Sequence, residues 1–170
     1  FDTKTGQLVE MMKLRAANLV GMTLTGNHVY AAEYFQKTVL RFDLASDPTR
    51  GSRFIYKSPH LDRPHGMTIG HNGNLFVSSL LNTRIVEFGH EEGEHVRTFL
   101  DMKALGGGNV NDLHYEPTLD HYFITSGNTV FEVASDGALL SRLESEALSK
   151  AEAIVVLPAA GAVSYTHLTL

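Results

Sequence analysis

The chain repeats itself. Aligning its Gly-Met segments gives three copies of one pattern. "LVGMTLTGNHVYAAEYFQKTVLRF" runs from Leu19 to Phe42, "PHGMTIGHNGNLFVSSLLNTRIVEF" from Pro64 to Phe88, and "NVNDLHYEPTLDHYFITSGNTVFEV" from Asn109 to Val133. Gly21 and Gly66 are 45 positions apart, Phe42 and Phe88 are 46, and Phe88 and Val133 are 45. The flanks continue the pattern: Phe1-Asp2 matches Phe42-Asp43, and "AEAIVVLPAAG" from Ala151 opens a further copy. A fixed period of this length marks an architecture of stacked units, each burying the faces of its neighbours.

Each copy carries four short β-type runs. In the second they are Met67–Ile69, Leu75–Ser79, Arg84–Phe88 and His95–Leu100. Turns separate them at His71-Asn72-Gly73 and near Leu81–Thr83, with a loop through Gly93. Asn72-Gly73 and Asp136-Gly137 between apolar runs are hairpin signals. "TVLRFD" and "TRIVEF" alternate, with Arg41 and Glu87 among apolar neighbours. Only Glu144–Ala153 looks locally helical. Four antiparallel strands per unit of this size predict an all-β fold, a sector of a β-propeller. One such sheet has two apolar faces and cannot bury both alone, which is why blades stack around an axis. The expected layout of residues 1–162 is a blade end at 1–15, blades at about 16–60, 61–105 and 106–148, and the opening strand of the next blade at 149–162. A ring of roughly four to eight blades needs more chain, so an open sector with two raw faces and marginal solubility is expected.

The last eight residues, "VSYTHLTL", stand apart. Read back into codons, Val163–Leu170 resembles the transposon-end adapter of shotgun sequencing libraries, as in metagenomic work. We therefore expect 163–170 to be translated adapter and not native protein, and neither Tyr165 nor His167 enters the candidate site.

Composition narrows the function. The chain is 43% hydrophobic and 19% charged, with a net charge of -5 and interspersed signs. A nucleic-acid partner is not expected, because such proteins usually carry a basic patch. With no cysteine, disulfides, thiol catalysis and zinc–thiolate centres are excluded. No apolar run approaches the roughly 20 residues of a membrane span. The run "HEEGEH" at His90–His95 is expected to be a solvated hairpin tip. The first residue is Phe1, so a leader upstream is compatible with the sequence, and a secreted or periplasmic location is slightly favoured.

The second copy resembles an NHL-type repeat. Its stations are filled by Pro64, Gly66, Met67, Ile69, Asn72, Gly73, the run Leu75-Phe76-Val77, Asn82, Arg84, Ile85 and Phe88. There is no Trp-Asp dipeptide. The chain is also similar to the gluconolactonase-like (senescence-marker type) propellers and, distantly, to the streptogramin-lyase-like ones. These resemblances imply a parent of six blades. They also imply either a platform binding a small molecule or protein at its rim, or a lactonase or lyase dependent on one divalent cation (Ca²⁺, Mg²⁺ or Zn²⁺) in the axial tunnel.

Site candidates come from one slot of the repeat. Aligning "HGM", "NDL" and "EAI" places Val20, His65, Asn111 and Glu152 at equivalent positions. Innermost strands line the axis, so these side chains approach one tunnel mouth. His65, Asn111 and Asp112 are the expected ligand-binding or tunnel-lining residues, and the resemblance to the lactonases adds Glu152, Asn111 and His65 as a cation set. A structural role is the alternative for each of these residues: ordered water and backbone bonding for His65, a local turn for Asn111-Asp112, a helical surface for Glu152. His114 and Glu33 are expected to face solvent, and Met22 and Met67 to be core. Gly106–Gly108 is expected to be a loop before a strand and not a phosphate loop.

Overall fold

The computed structural model describes residues 18–148, 151–156 and 163–166. The blade end expected at 1–15 lies outside these residues, as do 149–150, 157–162 and 167–170. Three four-stranded antiparallel sheets follow one another along the chain, each in sequential strand order, and a two-stranded fourth begins after them. The first blade comprises β1 (Leu19–Thr25), β2 (His28–Glu33), β3 (Thr38–Asp43) and β4 (Asp47–Ile55). The second comprises β5 (Pro64–Ile69), β6 (Leu75–Ser79), β7 (Arg84–Phe88) and β8 (His95–Asp101). The third comprises β9 (Val110–Glu116), β10 (His121–Ser126), β11 (Thr129–Ala134) and β12 (Leu139–Glu144). Then β13 (Ala153–Val156) pairs with β14 (Val163–Thr166), the segment whose sequence resembles adapter. The chain is a β-propeller sector.

Turn chemistry sets the strand lengths. After β5, Gly73 donates its N–H to the Gly70 carbonyl (3.0 Å) and Gly70 donates to Asn74 (3.0 Å). In the third blade Gly137 bonds to Ala134 and Ala134 to Ala138 in the same pattern (2.9 Å each). Both glycines lie at positive φ, 80° and 96°, where a side chain would be strained.

Alternation along each strand splits its side chains between two seams. In the second blade Leu75 pairs with Phe88 and Val77 with Val86. These four face the first blade and pack with Tyr30, Ala32, Val39, Phe54 and Ile55. The intervening Phe76 and Ile85 face the third blade and pack with Leu113, Tyr122, Ile124 and Phe131. A third seam brings Phe123 and Val130 against Ile154 and Val156 of the fourth sheet. The hydrophobic core is therefore divided into layers between blades.

First strands of successive blades lie side by side: β5 packs between β1 and β9, and β9 packs against β13. Their bonds to each other run from side chain to backbone. His65 Nδ1 lies 2.9 Å from the Asn111 carbonyl oxygen, and Ser78 Oγ donates to the same oxygen (3.1 Å). Thr68 Oγ1 accepts from the Tyr115 N–H (3.3 Å). Asn111 Nδ2 donates to the Ala151 carbonyl (2.9 Å), and the Ile154 N–H donates to Asp112 Oδ2 (3.1 Å). The approach is close enough to demand glycine: a Cβ on Gly66 would sit 2.1 Å from Asp112 Oδ1.

Four expectations change. Met22 is 66% exposed, whereas Met67 is buried as expected. Met22 pairs with Ala31, but it is the neighbouring Tyr30 and Ala32 that enter the first seam, so Met22 lies with Val20 and Leu24 on the face turned away from the second blade. Glu33 is buried, not solvent-facing: its carboxylate accepts the Gln36 N–H and closes the turn after β2. His114 is half-buried, and that burial lowers its pKa. Finally, among its described residues the stretch Glu144–Ala153 forms a 3₁₀ turn at Glu146–Leu148, with Glu144 ending β12 and Ala153 starting β13. Ladder pairing overrides the local preference there.

A buried carboxylate ties the second blade internally. Glu87 is 1% exposed and accepts from Asn72 Nδ2, Asn74 Nδ2 and Arg97 Nε, each at 2.7 Å. Burial pushes its pKa up, but these bonds together outweigh burial and hold it below the usual carboxylate range. The Asn-x-Asn turn thus serves both backbone geometry and charge solvation.

Truncating a seam residue should cost what a core cavity costs. Phe76→Ala, at a fully buried position packed edge-on against Phe99 and tilted against Tyr122, is expected to lower the free energy of unfolding by about 3–5 kcal/mol, read as a drop in the urea midpoint.

Candidate functional site

The strand order places His65, Asn111 and Asp112 on adjacent innermost strands, β5 and β9, with Glu152 immediately before β13. His65 is half-buried beside the ring of Tyr34, at 6.2 Å between centroids and 77° between planes. The Asn111 carbonyl can only accept, so His65 Nδ1 carries the hydrogen and Nε2 is left as the acceptor of the neutral ring. Asn111 is fixed by a donation from its own amide to Ala151, which leaves Oδ1 as its acceptor. Each residue spends a donor on the next blade and retains an acceptor.

Asp112 is half-buried, like His65 and Asn111. Its N–H donates to Thr125 Oγ1 (3.0 Å), and its carboxylate receives the Ile154 N–H. Burial drives its pKa from 3.8 up to about 6, against the opposing effect of the bonds from Ile154 and Leu113. A carboxyl group so poised can exchange a proton near neutrality.

The cation set suggested by the sequence stands on or beside three successive first strands. His65 leans on the third blade and Asn111 on the fourth, while Glu152 is exposed. These bonds engage Nδ1 of His65 and Nδ2 of Asn111 and leave Nε2 and Oδ1, the atoms that a cation would take. Among the described residues, no group of three His, Cys, Asp or Glu side chains is arranged to hold a metal. The acidic hairpin tip, with His90, Glu91, Glu92 and Glu94, is exposed to solvent.

Sequence reasoning missed the wall beside His65. Arg63 lies over the ring of Tyr34 (5.2 Å) and near that of Phe35 (5.9 Å), and its Nη1 donates to Tyr34 Oη (3.3 Å). Arg63 has φ 56°, a strained backbone for a side-chain-bearing residue. The sequence marks the neighbouring Pro64 as a station of the repeat. No sequence signal marks the contact of Arg63 with the turn of the first blade.

No family model matches the sequence, and no curated protein matches it. Solved structures match its fold. A chain of the nidogen/laminin complex superposes with a TM-score of 0.62 at 19% identity, over 76% of this chain and 48% of that one. Streptogramin B lyase gives 0.61 at 14% identity, over 89% and 49%. A putative 6-phosphogluconolactonase from Bacteroides uniformis gives 0.59 at 14%, over 88% and 53%. The chain spans about half the length of each. These matches place it among propellers.

The raised Asp112 fixes the sign of a pH effect. Its folded pKa exceeds the unfolded value, so the folded state binds the proton more tightly. Stability should fall as pH rises from about 4 to about 6 and level off above, by on the order of 2–3 kcal/mol. Asp112→Asn keeps an acceptor for the Ile154 N–H and should flatten this decline, as read from melting temperatures between pH 4 and 8.

Proposed function

We infer that this chain is part of an NHL-like propeller, six-bladed in the whole protein, that binds a small molecule or a protein at its rim and tunnel mouth. The observation that carries this is the state of His65 and Asn111. Both are oriented by bonds to the next blade's backbone, and both keep one acceptor, Nε2 and Oδ1. Pre-oriented acceptors suit a ligand bearing hydroxyl, amine or amide donors, and fixing them in advance lowers the ordering cost of binding. The likeness to protein-complex and enzyme propellers agrees with a rim that recognises something without naming it.

One observation favours a second reading, a lactonase or lyase. Asp112 is a half-buried carboxyl group beside Asn111 whose desolvation raises its pKa to about 6, as a general acid or base requires.

A displayed peptide library and a set of simple sugar lactones discriminate the two. The binding reading expects selected peptides whose affinity falls at least tenfold in His65→Ala, with lactone hydrolysis no faster than buffer in the presence of Ca²⁺, Mg²⁺ or Zn²⁺. Hydrolysis abolished by Asp112→Asn would reverse the order of the two readings.

A further inference from the structure

We propose that the corner between the first two blades is a docking surface for an acidic peptide segment, centred on Arg53, Lys57 and Arg63. The proposal extends the reading of this rim as the binding face by giving its partner a chemistry.

The chain carries 19 acidic against 14 basic residues, yet this corner inverts the balance. Lys37 belongs to the turn after β2, and Arg53, Lys57 and Arg63 to the end of β4 and the crossover into β5. Asp62 stands within this run, paired with Lys37 at 3.7 Å, and the acidic tip of the second blade borders it where Gly93 approaches Phe54 and Ile55. Glu33 lies buried beneath the turn. The pieces are contiguous: Ser58 N donates to Lys37 O (3.1 Å) and Lys57 N to Thr38 Oγ1 (3.3 Å). The crossover is also tied to the second blade, by Asp62 N to Ser79 Oγ (2.7 Å) and Leu80 N to Arg63 O (3.2 Å).

Two further features mark it as built. Five non-glycine residues among those described adopt positive φ, and three of them are Lys37, Lys57 and Arg63, at 55°, 46° and 56°. Such strain persists only where the surroundings enforce it. The cations also lie against aromatic rings that remain exposed. Arg53 is 4.4 Å and Lys57 5.3 Å from the centre of Tyr56, while Arg63 spans Tyr34 and Phe35. Tyr56 is 48% and Phe35 62% exposed.

The same contacts choose between two polyanions. A single-stranded nucleic acid needs open ring faces for its bases, and here cations occupy the rings. The net negative chain also repels a long phosphate backbone, whereas a short carboxylate segment senses mainly the local charge within a Debye length of about 10 Å. Ring-supported guanidinium groups present N–H edges matched to carboxylates.

A fluorescein-labelled octaglutamate peptide, followed by anisotropy in low salt, tests this. Binding is expected, weakened at least tenfold by Arg53→Gln/Lys57→Gln/Arg63→Gln and by raising salt to 300 mM, and unchanged by Arg84→Gln/Arg142→Gln elsewhere on the surface. Unchanged urea midpoints confirm that the variants fold. No octaglutamate binding, equal binding by the triple variant, or tighter binding of an octauridylate would each overturn the proposal. Octaglutamate binding that survives His65→Ala separates this surface from the tunnel mouth. Loss of library-selected peptides in His65→Ala alone would leave the tunnel reading standing without this one.

Discussion

Everything in this structure depends on sheets that are apolar on both faces. A four-stranded blade such as β5–β8 sends Leu75, Val77, Val86 and Phe88 one way and Phe76 and Ile85 the other, so neither face can be left to water. Burial of one blade is a property of its neighbours. Stability in such an array is close to a sum of blade terms and seam terms, and the second blade, held on both sides, is the best buried. Its strand β6 is buried at every position. The first blade shows the converse, with Val20, Met22 and Leu24 exposed on β1.

Much of this was legible in the residues. The period exposed the blades, and the Asn72-Gly73 and Asp136-Gly137 turns located their hairpins, because a turn that needs positive φ leaves a local signature. Strands β6 and β7 have the bounds their apolar runs suggest. What failed, failed where partners are distant. Met22 satisfies every local criterion for a core residue, yet its burial depends on what covers β1. Glu33 looks like a solvent-facing strand residue until the turn that it caps is in place. The helical preference around Glu146 gives way to the strands on either side.

The candidate site divides in the same way. The repeat puts its residues on equivalent positions of first strands, which lie side by side in the structure. Their orientations were not legible, since they are set by carbonyl and amide groups of another blade, which no sequence pattern marks. The role of Asp112 depends on its depth and on the missing side chain of Gly66, and both arise only when β5 and β9 approach. Arg63 was hidden for the same reason: its strained backbone and its aromatic support come from different blades.

The bonds that reach from one blade to the next carry a consequence for how such a protein changes over time. His65, Ser78, Thr68, Asn111 and Asp112 all reach across to main-chain atoms. A main-chain atom is offered by whatever residue occupies the facing position. Each blade can therefore exchange its side chains without the next one having to answer in kind. That independence lets Val20, His65, Asn111 and Glu152, four unlike residues, fill one slot of a single repeat. It gives evolution one interchangeable position per blade, while the adjoining Gly66 is held fixed by the close approach of the next strand.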